Sequence, residues 1–242
     1  MLAQVQILDL AECQRAAGEV CDLRPHWIPC TPLPAFFFTL GVASYQDLCH
    51  PGQDLPRRSY YQDALFFNAL ILGRLGWLLD RVRISLERFL GAPAQFSPRL
   101  GVAGFHIFDD VAIPRTDSAS IHCDLQYQLI DWNDGAPAPD FTKPVSFTLP
   151  IKLPIGGGGM NVWNLTYEEV DETMTRHSAL TLADVIRYKC KTFCPYSLGS
   201  MAIHSGHQVH QIGPASDVRQ GDQRITLQGH GLCRGGEWVL YW

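Results

Sequence analysis

The pattern of apolar positions divides the chain into two halves of different character. In residues 60–90, apolar side chains recur at helical spacing, at Leu65, Ala69, Leu72, Leu75 and Leu79. This spacing predicts one long packing helix, and Gly91 and Pro93 mark its end. The first half of the chain therefore reads mainly as helix.

From about residue 100 onward, short apolar segments alternate with turn residues. Gly-rich or Pro-rich joints, such as 133–140 and 155–160, separate segments that predict strands at 101–108, 118–130, 143–154, 160–169, 197–212, 223–232 and 237–242. Because the strands do not alternate with helices, they favour a jelly roll with helices on one side. We expect one domain over 1–242, with mainly helical support in 1–98 and the jelly-roll core in 99–242.

Composition narrows the class of partner. The formal net charge is −5 and no segment clusters basic residues, so the sequence argues against nucleic-acid binding. No apolar run reaches the roughly 18 to 20 residues of a membrane span, and the N-terminus does not read as an anchor or a secretory signal. The eight cysteines are irregularly spaced. Reduced thiols and a cytoplasmic location are the expectation.

The segment 118–130 carries a pair of metal-ligand residue types. His122 and Asp124 are two residues apart on a predicted strand, so both side chains should point to the same face. A third ligand must come from the segment with His204, His207 and His210. We assign His210, and keep His207 as the alternative because a bulge would reverse its face.

Two imidazoles and one carboxylate are the ligand set of non-haem iron(II) oxygenases, because they leave positions open for a bidentate co-substrate and O₂. Zinc is more often bound in a closed set or with a catalytic water. Arg224 and Thr226 favour iron, since they share a strand face and can converge on one carboxylate. The natural occupant is the C5 carboxylate of 2-oxoglutarate.

His122 and Asp124, then His210, then Arg224 and Thr226, complete a motif, HxD…H…RxT. The chain thereby resembles the iron(II)/2-oxoglutarate-dependent dioxygenases, whose core is a double-stranded β-helix, a cupin-like jelly roll. The segments around this motif look like the small enzymes that act on free amino acids, including the lysine radical halogenases and their hydroxylase relatives.

The resemblance implies Fe(II) as metal, 2-oxoglutarate and O₂ as co-substrates, and succinate and CO₂ as co-products. Halogenases replace the motif carboxylate with glycine to admit chloride, and Asp124 departs from that pattern. The expectation is therefore hydroxylation of an unactivated C–H bond, with desaturation or amine ring closure as other outcomes. Leu125 favours a substrate less polar than lysine.

A free amino acid also needs a partner for its carboxylate. Arg57 and Arg58 precede the long helix, where the amino-acid-modifying relatives carry an arginine for this purpose, and we favour Arg58. Solvated surface charges are an equally good reading of both residues. Trp238 and Trp242 are candidates to close the pocket.

Two other functions stay open. One is a 2-oxoglutarate oxygenase that modifies a protein or nucleic acid, which the even charge distribution disfavours. The other is a non-enzymatic metal-binding jelly roll, which has no need of a buried carboxylate clamp. Helix 60–90 also leaves room for a homodimer interface.

Overall fold

The computed structural model describes residues 2–30, 37–48 and 60–242. The elements up to residue 100 are β1 (Ala3–Gln6), α1 (Leu10–Asp22), β2 (Ile28–Cys30), β3 (Phe37–Leu40), α2 (Ser44–Asp47), α3 (Tyr60–Leu90) and β4 (Ala94–Phe96). The later elements are β5 (Gly104–Asp109), β6 (Asp140–Lys152), β7 (Gly159–Thr166), α4 (Tyr167–Arg176), α5 (Leu182–Ile186), β8 (Lys191–Pro195), β9 (Ser200–Ser205), β10 (Gln208–Gly213), β11 (Gln223–Arg234) and β12 (Glu237–Tyr241). Short 3₁₀ turns lie at Arg24–His26 and Gln126–Leu129.

The strands form two mostly antiparallel sheets. In the large sheet the strands follow the order β1-β9-β6-β11-β5-β3-β2, and β12 pairs with β11 and, in parallel, with β4. The small sheet has the order β10-β7-β8. This topology is consistent with the expected jelly roll.

The N-terminal half is less purely helical than the sequence pattern predicts. Strands β1, β2 and β3 all come from this half, and all three extend the large sheet. Each is only three or four residues long, too short to show a clear alternation of apolar and polar residues. The helices α1 and α3 pack together, and α1 contacts β6 of the large sheet.

Helix α3 has the predicted bounds but buries only part of the predicted stripe. Leu65 is 65% exposed and Leu72 is 49% exposed, although both belong to the predicted packing stripe. Leu75 and Leu79 are buried as predicted, and the rest of the buried stripe passes through Ala64, Ile71, Leu78, Val82 and Leu86. Apolar residues lie on nearly every side of this helix, so helical period alone cannot choose the face. The helix ends at Leu90, and the φ of 69° at Gly91 after it is the left-handed conformation that glycine adopts without strain.

The large sheet is buried on both of its faces. On one face, Ile107, Leu149, Ile225 and Leu227 join the core that α1 and α3 cover. The other face carries the alternate residues of the same strands, among them His106, Arg224, Thr226 and His230, and all four are also buried. We call these the helix face and the inner face.

No helix of the described residues is long and apolar enough to span a membrane. The cysteines in these residues are all free, including Cys190 and Cys194.

Candidate metal centre and buried guanidinium

His122 and Asp124 do not lie on a strand, contrary to the prediction for 118–130. His122 forms only an isolated bridge with His210, in which each backbone N–H donates to the other residue's carbonyl at 3.0 and 2.9 Å. The Asp124 N–H donates to the Gly206 carbonyl at 2.7 Å, and a 3₁₀ turn starts at Gln126. Backbone bonds to the β9–β10 hairpin therefore position both residues.

The structure brings His122, Asp124 and His210 together. One ligand atom from each residue lies within 4.8 Å of the others. The His122 Nε2 atom is 3.8 Å from Asp124 Oδ1, and the His210 Nε2 atom is 3.6 Å from Asp124 Oδ2. The arrangement fits a single ion with two nitrogen donors and one oxygen donor.

A hydrogen bond from Nδ1 to a backbone carbonyl orients the imidazole ring of both His122 and His210. Nδ1 of His122 is 3.1 Å from the Ser120 carbonyl, and Nδ1 of His210 is 2.8 Å from the Gln208 carbonyl. A carbonyl can only accept, so Nδ1 carries the proton and the Nε2 lone pair is free. Metal-bound histidines are commonly held in this way.

The protonation states also suit a metal ion. Burial lowers the pKa of His210 to about 3, although Asp124 opposes the shift. Burial by itself raises the pKa of Asp124, but the surrounding histidines, His210 foremost, bring it below its ordinary value. Near neutral pH this gives a neutral imidazole beside a carboxylate, the forms that bind metals.

His204 and His207 separate at the hairpin between β9 and β10. His204 reaches the site, and its ring centroid lies 4.7 Å from that of His210. His207 lies in the turn, where Nε2 meets the Tyr127 hydroxyl at 2.7 Å and Nδ1 bonds the Glu168 carboxylate. His207, the alternative ligand, is thus occupied by other partners.

His230 borders the centre, although no role was predicted for it from the sequence. Its Nδ1 is 3.0 Å from the Ser146 hydroxyl and 3.9 Å from Asp124 Oδ2. Strand alternation could have pointed to it, because His230 lies six residues after Arg224 and thus shares its face of β11.

Arg224 lies on the inner face and is 1% exposed. Among the described residues its guanidinium makes one hydrogen bond, from Nη2 to the Gly159 carbonyl at 3.3 Å, while Nε and Nη1 have no partner. Burial lowers its pKa from the ordinary value, yet arginine keeps its charge in proteins. A buried, unpaired cation is costly, so this site calls for an anion.

Two residues with hydroxyl groups, Thr226 and Tyr196, lie close to this guanidinium in the fold. Thr226 follows it on the same face, and the Tyr196 ring centroid is 5.6 Å from the guanidinium carbon. Burial raises the pKa of Tyr196, so its hydroxyl remains a donor. Sequence reasoning missed Tyr196 because it lies just after β8, far from the motif.

The structure gives little support to the residues predicted to bind the substrate, Arg57, Arg58 and Trp238. Arg57 and Arg58 lie outside the described residues. Trp238 packs near Gly231 and against the main core, and strand alternation places it on the opposite face from Tyr241, which contacts His230. Its predicted substrate contact gains no support from this position.

Known structures share the fold. A dioxygenase of N-substituted L-amino acids from Burkholderia ambifaria AMMD, in complex with 2-oxoglutarate, has a TM-score of 0.61 at 13% identity, covering 100% of this chain and 86% of that one. The 2-oxoglutarate-dependent non-haem carbocyclase SnoK from nogalamycin biosynthesis has a TM-score of 0.53 at 12% identity, covering 100% and 92%.

No family model and no curated protein matches this chain in sequence. The structural neighbours are iron/2-oxoglutarate-dependent oxygenases, and this chain has their fold.

Proposed function

We propose that the protein is an iron(II)/2-oxoglutarate-dependent oxygenase of a small molecule. The observation that carries the proposal is the buried guanidinium of Arg224, whose Nε and Nη1 have no partner in the described residues, in a fold that also brings together His122, Asp124 and His210. A site that only binds a metal has no use for such a cation.

His122, Asp124 and His210 would hold the iron. Three protein ligands leave the rest of the coordination sphere for the co-substrate, O₂ or water. When bound, iron would activate O₂, the oxidant: oxidation of 2-oxoglutarate to succinate and CO₂ would take up one oxygen atom, and the other would be left to oxidise the substrate. The protein sets the geometry of the metal-binding side chains in advance. The hydrogen bonds from the His122 and His210 rings to backbone carbonyls fix both Nε2 atoms before the ion binds.

Arg224 would bind the C5 carboxylate of 2-oxoglutarate. Nη2 of Arg224 donates to the Gly159 carbonyl, and its second N–H can pair with the free Nε–H or the free Nη1–H on its own side of the guanidinium. Either pair forms a rigid fork that fits two carboxylate oxygens. Thr226 shares the inner face with Arg224 and the Tyr196 ring lies beside the guanidinium, so their hydroxyl groups would be further donors to the same carboxylate. Burial strengthens these bonds because it excludes competing water.

The substrate we favour is a free amino acid that is hydroxylated at an unactivated C–H bond. Desaturation or ring closure through the substrate's amine are the other outcomes. The dioxygenase of N-substituted L-amino acids has a similar fold, which supports the class of substrate. A reduced, cytoplasmic setting agrees with the free cysteines.

The test is succinate release from 2-oxoglutarate with Fe(II) and O₂, measured across a panel of free amino acids. At least one should stimulate release in the wild-type protein, and the stimulation should vanish in His210→Ala and Arg224→Ala. The exposed His177 is a matched control, since His177→Asn changes a histidine outside the site. Succinate release that no panel member stimulates would contradict the assignment to amino acids.

A further inference from the structure

A second group of polar side chains lies on the inner face beside the guanidinium, and the metal and carboxylate sites do not use it. His106 on β5 pairs with Thr226 of β11 and is 7% exposed. The Trp242 ring lies next to it, with ring centroids 5.4 Å apart. Trp242 is fully buried.

The backbone fixes the Trp242 ring firmly. A Cβ atom at Gly104 would lie 1.9 Å from two atoms of this ring, so the ring covers the glycine directly. The backbone N–H of Trp242 donates to the Gly101 carbonyl at 2.8 Å, and the backbone carbonyl of Trp242 accepts from the Tyr60 hydroxyl at 2.8 Å. The ring is therefore in place before any ligand binds.

Each of these two residues has a buried nitrogen without a partner. Neither His106 Nδ1 nor Trp242 Nε1 has a hydrogen bond within the part of the chain that the structure describes. Buried polar atoms are almost always paired, so two orphans in adjacent rings point to a ligand. An indole nitrogen only donates, which means that the ligand must present an acceptor.

The hydroxyl group of Tyr45 determines which ring nitrogen of His106 carries the proton. It contacts His106 Nε2, and when Tyr45 donates this bond the proton of the neutral imidazole lies on Nδ1. Burial, followed by Arg224, lowers the pKa of His106 to about 3, so the ring is neutral. His106 and Trp242 then offer two uncharged N–H donors.

The surroundings of the two donors are aromatic. Phe37 stacks on Phe108 with centroids 4.8 Å apart and meets the edge of His106 at 5.5 Å. The Phe108 ring centroid also lies 5.8 Å from the guanidinium carbon of Arg224, so this wall adjoins the carboxylate site. A ligand here needs an acceptor oxygen and an apolar body.

We propose that His106 and Trp242 bind an oxygen of the substrate, in the carboxylate or carbonyl group of a molecule that is otherwise apolar. This assignment rests on the proposed function, because it concerns the substrate of the same site. Tyr45 is a positioning residue that orients His106. Arg57 and Arg58 would not be needed to hold that oxygen.

The experiment follows the Trp242 indole N–H by NMR in protein that contains ¹⁵N-labelled tryptophan, with Zn(II) in place of iron and with saturating 2-oxoglutarate. The probes are the apolar free L-amino acids and their primary amides. Trp242→Phe assigns the resonance and keeps the ring over Gly104. We expect at least one probe to move this resonance downfield, as a new hydrogen bond does.

Comparing the free acids with the amides distinguishes the two functional groups that could supply the oxygen. A shift with the free acids alone identifies a carboxylate, and a shift with the amides as well identifies a carbonyl. His106→Phe should weaken binding of the active probe at least tenfold, and His177→Asn should not. Tyr45→Phe should weaken it less than His106→Phe does.

The proposal is overturned if no probe moves the resonance, or if a probe that stimulates succinate release leaves it in place. If the proposed function itself were wrong, the result would be different: the protein would show neither 2-oxoglutarate binding nor succinate release, whatever the indole resonance does.

Discussion

The helix face and the inner face of the large sheet are built from alternate residues of the same strands, yet their chemistry is opposite. On β11, Ile225 and Leu227 face the helices and are fully buried in an apolar core. Their neighbours Arg224 and Thr226 are each 1% exposed on the inner face. Burial is thus equal on both faces, and only the polarity differs.

An apolar face is explained by packing against helices, since buried apolar area is the main source of stability. The inner face is not explained in this way. Burying Arg224, Thr226, His106 and His230 side by side opposes folding unless their polar atoms are paired. Because Nδ1 of His106 and two nitrogens of Arg224 are not paired within the described residues, the inner face is built for ligands.

The largest effect should come from Arg224→Ala. Arg224 is the charged partner that we propose for the distal carboxylate of the co-substrate, and its removal should weaken 2-oxoglutarate binding by roughly thirtyfold or more, since a buried charged hydrogen bond contributes on the order of 2–5 kcal/mol. The melting temperature should not fall, because an unpaired buried charge is removed. Calorimetric titration and thermal unfolding measure the two quantities.

Arg224→Lys is the matched control for charge. It retains the cation but loses the fork, so we expect binding between that of the wild type and Arg224→Ala. Equal 2-oxoglutarate affinity in the wild type and both variants would contradict the conclusion that the inner face is built for ligands.

Leu227→Ala tests the helix face three residues away. It should lower the free energy of unfolding by about 2–5 kcal/mol, as truncation of a buried leucine does, and leave 2-oxoglutarate affinity unchanged. Thr226→Val is its counterpart, with a small effect on stability and a loss of co-substrate affinity. Denaturant unfolding of both variants decides whether the faces are separable.

A smaller effect is expected for Tyr196→Phe. Loss of one hydroxyl donor to a carboxylate should weaken 2-oxoglutarate binding by about 1–2 kcal/mol, or roughly five- to thirtyfold. The aromatic ring beside Arg224 remains in place, so stability should be preserved. Unchanged affinity would remove Tyr196 from the carboxylate site.

The effect that is smallest near neutral pH, and grows as the pH falls, is the protonation of His106. His106 has a pKa of about 3 in the folded protein and an ordinary value near 6.5 when unfolded. Between these values only the unfolded chain takes up the proton, so His106 makes stability fall as the pH drops from about 7 toward 4. His106→Phe should flatten this part of the stability profile. A profile equally steep in both proteins would show that His106 titrates normally.

Much of the candidate site follows from sequence because it depends on residue type and spacing. The His122, Asp124 and His210 set and the Arg224, Thr226 pair are each local patterns. The structure places the three ligands together, but by a route the sequence did not predict, through backbone bonds to the β9–β10 hairpin instead of strand alternation.

The rest depends on contacts between distant segments. Tyr196 reaches Arg224, and Trp242 reaches Gly104, only through the folded sheet. The buried face of α3 was predicted only in part, at Leu75 and Leu79, for the same reason: the neighbouring elements, and not the helical period alone, select which apolar residues are buried. Strands β1 to β3 are too short to be recognised without the sheet that they join.

The most direct test of the account is anaerobic addition of Fe(II) and 2-oxoglutarate to the purified protein, followed by visible absorption. We predict the weak charge-transfer band of 2-oxoglutarate chelated to iron in the wild type and in Leu227→Ala, and its loss in His210→Ala and Arg224→Ala. Absence of the band in folded wild-type protein at saturating concentrations of both would contradict the account and favour a jelly roll that only binds a metal.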